Sequence, residues 1–390
     1  MKILLVNDFG YVAGGAERYL FLLKKGLEQK GHAVFTLSSD YRVDSEKIKT
    51  DFQISQSGHF FNLDSYFNIM NYFQFKKILN RVKPDIVHLN NIFYTISPSI
   101  LFALNSYKTV MTLHDYYIIC FRDKTFPDLE ICDSALGPIC YKKGCVNKRG
   151  YIRGKIKKHI IRKGLKNINI FISPSKYLKS EFERNGIKNI AVLPNPVEFE
   201  AVSYQEFKGS DALLYIGRLA KQKGVDYLIR AMPEVIKEHP EAILRIAGSG
   251  PEENELKKLV ANLGVSNNVK FLGWVTGKDK DYFIRESLVI IAPSIWPEVG
   301  PFVIFESACY GKALISTNVG GPVEFIEECK TGFLVPPKDS DALAKKILFV
   351  LNNKNILSDI RKNIIEKIYE NKLDKYIIHL ENIYNSLNKK

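Results

Sequence analysis

Two carboxylates, Glu298 and Glu306, stand eight residues apart in the stretch Ser294-Ile295-Trp296-Pro297-Glu298-Val299-Gly300-Pro301-Phe302-Val303-Ile304-Phe305-Glu306. Such a pair offers an acid–base couple, an unrelated pair of surface residues, or the two ends of one ligand clamp. Proline fits the first turn of a helix, where its missing N–H costs nothing, and glycine is accepted just before it. A helix is therefore expected from about Pro301 through Tyr310. Glu298 then precedes the helix, and Glu306 lies on its second turn, about 8 Å along the axis from the helix start at ~1.5 Å per residue. That is too far for a shared proton and fits an extended ligand better. A solvated loop Glu plus a helix-surface Glu is the plain alternative. The open N–H groups at Phe302 and Val303 would make an anion site.

Basic and glycine residues supply the context. Tyr215-Ile216-Gly217-Arg218-Leu219-Ala220-Lys221-Gln222-Lys223-Gly224 leaves a strand and enters a helix. At such a turn Arg218 and Lys223 can clamp phosphoryl oxygens, unless the loop is simply solvated. Gly14-Gly15 follows the first strand, where a backbone without Cβ can approach a pyrophosphate. It is not a G-x-G-x-x-G fingerprint.

These residues need elements to place them. Lys2–Val6 reads as a strand, 16–30 as a helix with Leu20, Leu23 and Leu27 at helical spacing, and Ala33–Leu37 as the next strand. A helix over 63–82 stops at Pro84, followed by strands at 85–89, 108–113 and 168–172. Leu193-Pro194-Asn195-Pro196-Val197 has little room for a regular element and marks a hinge. The pattern then repeats: strands at 212–216, 242–247, 269–272, 288–292, 313–316 and 332–335, helices at 224–237 and 252–263, and a helical last fifty residues. Alternating strands and helices imply α/β architecture, two doubly wound parallel sheets facing a cleft, with ligands outside the carboxyl ends of the strands.

Totals narrow the class. The 390 residues are 46% apolar and 25% charged, which fits a soluble globular chain of about two domains. MKILLVND is a buried strand rather than a signal core, and no run of eighteen apolar residues is present. A cytoplasmic protein is expected. Of the net +14, the first 200 residues carry most, with 30 Lys and Arg against 18 Asp and Glu. One lobe is therefore expected to meet an anionic partner. Residues 141–169 hold eleven Lys/Arg and no acid, with Ile152, Ile156, Ile160, Ile161 and Leu165 at helical spacing. A basic amphipathic helix is typical of anionic lipid surfaces, each cation contributing on the order of 1 kcal/mol. The alternative is that the stripe packs inward and the lysines are solvated. Aromatic residues are not interleaved with the lysines, so nucleic acid is not expected. Cys120, Cys132, Cys140 and Cys145 lack zinc-ribbon spacing and stand as free thiols, a structural metal site or clip, or one disulfide.

In order and spacing, several motifs together resemble family 4 of the glycosyltransferases (glycosyltransferase group 1), with the GT-B fold. They are Gly14-Gly15-Ala16-Glu17, Leu193-Pro194-Asn195-Pro196-Val197, Gly217-Arg218-Leu219 through Lys223-Gly224, Pro293-Ser294, the Glu298/Glu306 pair, Val319-Gly320-Gly321-Pro322-Val323-Glu324 and Thr331-Gly332-Phe333-Leu334-Val335. The resemblance implies an acceptor-binding Rossmann-like domain at 1–194, joined by the C-terminal helix at about 372–390, and a donor-binding domain at 195–371. It implies a retaining hexosyltransferase that needs no metal or other cofactor and uses a UDP- or GDP-sugar. Arg218 and Lys223 would neutralise the diphosphate, Glu306 would bind the ribose and Glu298 the donor sugar. Backbone near Gly300, Pro301, Phe302 and Val303, and at Gly14 and Gly15, would hold phosphates and sugar, with His114 beside the sugar. No carboxylate nucleophile is nominated, because the departing phosphate oxygen takes the acceptor proton. Asp279-Lys280-Asp281 and Asp339-Ser340-Asp341 look like the DxD metal motif of another transferase fold, but sit beside helix starts and read as caps. The loop from His114, Asp115 and Tyr116 to Cys145 is assigned to the acceptor. Lys155, Lys157, Lys158 and Arg162, within the basic segment 142–166, are assigned to the acceptor and the inner face of the cell membrane, favouring a lipid-linked or oligosaccharide acceptor in polysaccharide biosynthesis. A GT-B nucleotide-sugar epimerase and a non-catalytic nucleotide-sugar-binding partner subunit are the competing readings.

Overall fold

The computed structural model describes residues 1–12, 14–41, 49–57, 65–120, 130–132, 134, 137–198, 211–300 and 302–387. They form two compact units, Met1–Pro196 with Leu373–Lys390, and Val197–Lys372.

The first unit holds seven strands: β1 (Lys2–Val6), β2 (Ala33–Ser39), β3 (Phe52–Ile54), β4 (Ile86–Leu89), β5 (Lys108–Thr112), β6 (Ile170–Ser173) and β7 (Ile190–Val192). Their order is β3-β2-β1-β4-β5-β6-β7, with every pairing parallel. Parallel strands joined by helical crossovers are covered on both faces, so they read as continuous apolar runs. Ile3, Leu4, Leu5 and Val6 of β1 are accordingly all buried. The strand order reverses between β1 and β4, and the loops leaving those strands are fastened together there. The Asp8 carboxylate accepts the backbone N–H groups of Tyr94 (2.8 Å), Thr95 (2.9 Å) and Ile96 (2.7 Å).

The helix Gly15–Gln29 buries Tyr19, Leu20, Leu23 and Leu27, and also Gly26. A Cβ at Gly26 would lie 2.6 Å from Ile377 Cγ1, so glycine lets the C-terminal helix Leu373–Ser386 seat against it. Below that contact runs a buried polar chain. Tyr384 OH meets His88 Nδ1 at 2.6 Å, His88 Nε2 meets Thr112 Oγ1 at 2.7 Å, Thr112 Oγ1 meets Tyr19 OH at 3.1 Å, and Tyr19 OH meets Tyr376 OH at 2.5 Å. Burial, with His114 nearby, lowers His88 to about 3, so its ring is neutral and serves both neighbours without a charge.

The second unit holds six strands: β8 (Ala212–Ile216), β9 (Ile243–Ala247), β10 (Val269–Gly273), β11 (Val289–Ala292), β12 (Ala313–Thr317) and β13 (Phe333–Val335), in the order β10-β9-β8-β11-β12-β13 and all parallel. Its order reverses between β8 and β11. The helix Val225–Glu238 packs Leu228, Ile229, Met232 and Val235 into the core at helical spacing.

Several elements differ from the sequence reading. The helix expected over 63–82 runs from Ile69 to Val82, with Asn68 capping it, and the helix Gly277–Arg285 was not read. The edge strands β3 and β7 are three residues each, too short to show a period, and the helix Lys176–Arg184 sits in a stretch read only as polar. Its start was nonetheless signalled by Ser175, which caps Leu178 N at 3.2 Å.

Tyr384→Phe removes the partner of a fully buried imidazole nitrogen, at an expected cost of about 1–3 kcal/mol. Urea denaturation should show that loss, whereas the same change at the exposed Tyr369 should move stability by less than about 0.5 kcal/mol.

Candidate active site

Ligands of open α/β sheets bind outside the carboxyl ends of the strands, where the strand order reverses. In the second unit the segments leaving that point are Gly217–Gly224 after β8 and Pro293–Gly300 after β11. Ile295 N donates to Gln222 O (2.9 Å), tying the two segments together. Gly224 adopts φ +63°, and a Cβ there would lie 2.2 Å from Pro293 O, so this turn admits glycine alone.

Glu298 is the centre of this site. Its Oε1 accepts Lys223 Nζ at 2.5 Å and Ser294 Oγ at 2.6 Å, and the side chain is nearly buried. Burial alone would raise this carboxyl. The charge of Lys223, with hydrogen bonds from Lys223 and Ser294, outweighs it and holds the group below the usual range, so it stays ionised. The Lys223 ammonium also lies 5.5 Å from the centre of the Trp296 ring. The Glu298 backbone is equally fixed. Gly321 N donates to Glu298 O (2.7 Å), and Gly320, at φ +73°, would place a Cβ 2.4 Å from that same oxygen. Gly320-Gly321 after β12 thus backs the Glu298 main chain.

Arg218 is exposed and has no side-chain partner among the described residues. Its backbone is held by Tyr215 OH, which donates to Arg218 O at 2.8 Å. An anchored backbone with a free guanidinium suits it to an incoming anion. Glu306 lies on the helix Phe302–Cys309, is 8% exposed, and its Oε2 accepts Lys280 Nζ at 2.5 Å. Gly300, Phe302 and Val303 are half-buried at the start of that helix, while Pro301 falls outside the described residues. The two carboxylates therefore each carry their own lysine and do not form an acid pair.

In the first unit, Gly14 and Gly15 open the helix Gly15–Gln29 and are exposed. A Cβ on Gly14 would meet nothing nearer than Glu17 Oε2 at 3.6 Å, so packing does not demand glycine there. His114 stands edge-on to Tyr19 at 4.9 Å, and its buried Nε2 has no hydrogen-bond partner among the described residues. Burial lowers it to about 3, leaving a neutral imidazole that can hydrogen-bond but not supply a proton near neutrality. Asp115 accepts from Tyr117 N (2.8 Å) and Tyr94 OH (3.2 Å).

Several expectations are corrected. Tyr116 is fully buried and packs into the core rather than facing an acceptor. Lys157 and Lys158 are 7% and 5% exposed, so they are not surface charges. Lys157 Nζ donates to Phe93 O (3.3 Å); burial lowers it to about 8, partly opposed by Asp8. The apolar stripe divides: Ile161 and Leu165 are buried, while Ile152 and Ile156 stay exposed. Among the described residues the four clustered cysteines form no disulfide, and no three of them converge as metal ligands. Asp339 caps Ala342 N (2.8 Å) as expected, whereas in Asp279-Lys280-Asp281 the lysine pairs with Glu306 and Asp281 accepts from Tyr310 OH (2.5 Å). Lys280, Trp296 and the backing role of Gly320 carried no sequence signal, since each acts across a gap of residues that spacing cannot bridge.

Comparisons with known proteins bear on the family and the fold. The family model described as Glycosyl transferases group 1 matches residues 197–370, and that of Glycosyltransferase Family 4 matches residues 13–201. An uncharacterized glycosyltransferase of Methanocaldococcus jannaschii is 32% identical over 230 residues, covering 55% of this chain and 56% of that protein. This chain therefore matches little more than half of that relative's length. The gpi3 subunit of phosphatidylinositol N-acetylglucosaminyltransferase from Schizosaccharomyces pombe is 25% identical over 375 residues, covering 90% of this chain and 74% of that protein. Among solved structures, Anabaena HepE in complex with UDP superposes with a TM-score of 0.73 at 17% identity, over 99% of this chain and 100% of that one.

Lys223→Met leaves the Glu298 carboxylate buried without its cation, a change that typically costs about 3–5 kcal/mol. The wild-type carboxyl is held below its ordinary value, so its stabilisation is present above that value, about 4.3, and is lost as pH falls through the folded-state value. Denaturation at pH 7 and pH 4 should show the variant's deficit largest at pH 7 and smaller at pH 4.

Proposed function

Because this chain belongs to the group 1 glycosyltransferases, we propose that it moves a sugar from a nucleoside-diphosphate sugar to a lipid-linked glycan, with retention of anomeric configuration and without a metal. The observation that carries the donor assignment is the constellation in the second unit: a buried, ionised Glu298 braced by Lys223 and Ser294, beside an exposed Arg218. A nucleoside diphosphate carries its charge on phosphoryl oxygens and its hydroxyls on ribose and sugar. Arg218 and Lys223 meet the first, and Glu306 and Glu298 accept from the second.

In the reaction the bond from the anomeric carbon to the β-phosphate oxygen breaks while the acceptor oxygen bonds to that carbon from the same face. The acceptor proton passes to the departing phosphate oxygen. The barrier falls most where cations already aimed at that oxygen stabilise the charge that develops there. Arg218 and Lys223 supply this in place of Mg²⁺, which is why metal independence is proposed. Glu298 orients the sugar and keeps Lys223 in place. His114, being neutral, contributes hydrogen bonding rather than acid catalysis. UDP is the favoured donor nucleotide, in line with the UDP held by the Anabaena structure.

The first unit is assigned to the acceptor. Among the described residues no helix is long and apolar enough to cross a membrane. Exposed Ile152 and Ile156, flanked by lysines and arginines on the helix Lys148–Gly164, suit reversible docking on an anionic lipid surface. A relative whose name specifies a phosphatidylinositol substrate supports the lipid-linked reading.

Release of free nucleoside diphosphate from a panel of UDP- and GDP-sugars, with and without membrane lipid extract, tests the proposal. Turnover of one donor, stimulated by lipid, is expected, and Arg218→Gln should lower kcat/KM by about 10²–10³. If the protein neither binds nor turns over any donor, the transferase reading fails. Normal donor affinity in Glu306→Ala would remove that residue from the ribose.

A further inference from the structure

The amino ends of β8 and β9 hold a second polar cluster, at the far end of the strands from Glu298 and Arg218. Asp211 directly precedes β8, His239 closes the helix Val225–Glu238, and Glu241 stands just before β9. Each offers one ligand atom, and these atoms lie within 4.8 Å of one another. The three residues come from the start of one strand, the end of the following helix and the approach to the next strand.

The histidine is oriented from outside the cluster. Its Nε2 stands 2.9 Å from Asn352 Oδ1, at the end of the helix Ser340–Asn352. A carboxamide oxygen only accepts, so Nε2 carries the proton and Nδ1 is left with its lone pair. That lone pair faces Glu241 Oε1 at 3.3 Å. Two lone pairs so close repel unless a positive centre lies between them. A metal-binding histidine is held in this way, its other N–H donated to an oxygen of the surrounding shell. Zinc takes nitrogen and oxygen ligands at about 2.0–2.2 Å, which in a tetrahedron sets neighbouring ligand atoms about 3.4 Å apart. A proton on Nδ1 would also answer the repulsion, but it would leave the second carboxylate, Asp211, without a part.

Asp211 is at present paired with Lys354. The lysine side chain is 44% exposed, and such a pair contributes little to stability, so the ammonium can swing into water as a divalent ion arrives. Glu241, 61% exposed, leaves the cluster open on that side.

We propose that Asp211, His239 and Glu241 bind a zinc ion, with water completing the tetrahedron. Imidazole suits zinc, whereas magnesium and calcium take oxygen ligands. The ion would cross-link the entries of two adjacent strands to the helix between them, so its role is structural. Lying at the amino ends of the strands, it takes no part in the metal-independent transfer proposed above.

Calorimetric titration of the EDTA-treated protein with Zn²⁺ tests the site. Because Glu241 is well exposed, Glu241→Gln should keep the wild-type melting temperature in the absence of metal. It should nonetheless weaken zinc binding by more than loss of an outer-shell partner does, about tenfold or more, and His239→Gln should abolish it. Lys354→Met, which frees Asp211, should shift the isotherm to lower zinc. Zinc should raise the melting temperature of the wild type and leave that of Glu241→Gln unmoved. Absorption at the zinc K edge, with one equivalent bound, should show nitrogen and oxygen neighbours and no sulfur. Sulfur neighbours would assign the metal to the clustered cysteines and overturn the proposal. Zinc binding that is absent, or indifferent to Glu241→Gln, overturns it as well. Equal affinity for Mg²⁺ would mean general attraction to carboxylates and would also count against the site.

Discussion

A lysine and a glutamate 2.5 Å apart, with the glutamate almost out of water, set the terms for the second unit. Removing two charges from solvent costs several kcal/mol per ion, and their attraction offsets this only when further hydrogen bonds complete the geometry. Ser294 supplies such a bond, and the surrounding backbone is constrained so that it stays in place. Gly224 brings one segment against Pro293, and Gly320 brings another against Glu298. The Glu298 carboxylate is therefore desolvated in advance, while Lys223 keeps part of its side chain in water. Under the proposed donor reading, phosphate at Lys223 and hydroxyls at Glu298 would replace one set of partners with another, and the buried carboxylate would not have to leave water a second time.

The first unit solves a similar burial problem without charge. Its centre holds tyrosine, histidine and threonine groups linked from Tyr384 to Tyr376 through His88, Thr112 and Tyr19. A fully satisfied neutral network rigidifies its surroundings and costs little, whereas one missing member leaves a buried polar atom exposed to the low dielectric. Two of its members come from the C-terminal helix, so the last residues of the described chain complete the unit that the first residues begin. Tyr19 also lies against His114, so the same network fixes the ring whose Nε2 remains available.

Topology was legible in the sequence because it rests on long apolar runs such as Ile3–Val6 and on helical spacing such as Leu20, Leu23 and Leu27. The positions of Arg218, Lys223, Glu298 and Glu306 after strands followed from the same patterns. Their partners did not. Lys223 and Glu298 are 75 residues apart, and Lys280 and Glu306 are 26 apart, and no local periodicity reports which side chains meet across a sheet. Burial of Lys157 and Lys158 was equally hidden, because a lysine-rich helix shows its composition in sequence but not which face turns inward. The isoleucine stripe read as one face proved to be two, since Ile156 and Ile161 are five residues apart and a helix turns well past its own face over that interval.

That division gives the excess charge of the first unit a structural account. Eleven cations with no acid across residues 141–169 would repel one another on a single exposed surface. In the folded helix they are distributed. Lys157 turns to a backbone carbonyl and Lys158 to the Tyr117 ring, while Lys155 and Arg162 stay exposed. Ile152 and Ile156 remain exposed among the others. A uniformly solvated basic helix would need no buried lysine and no aromatic backing.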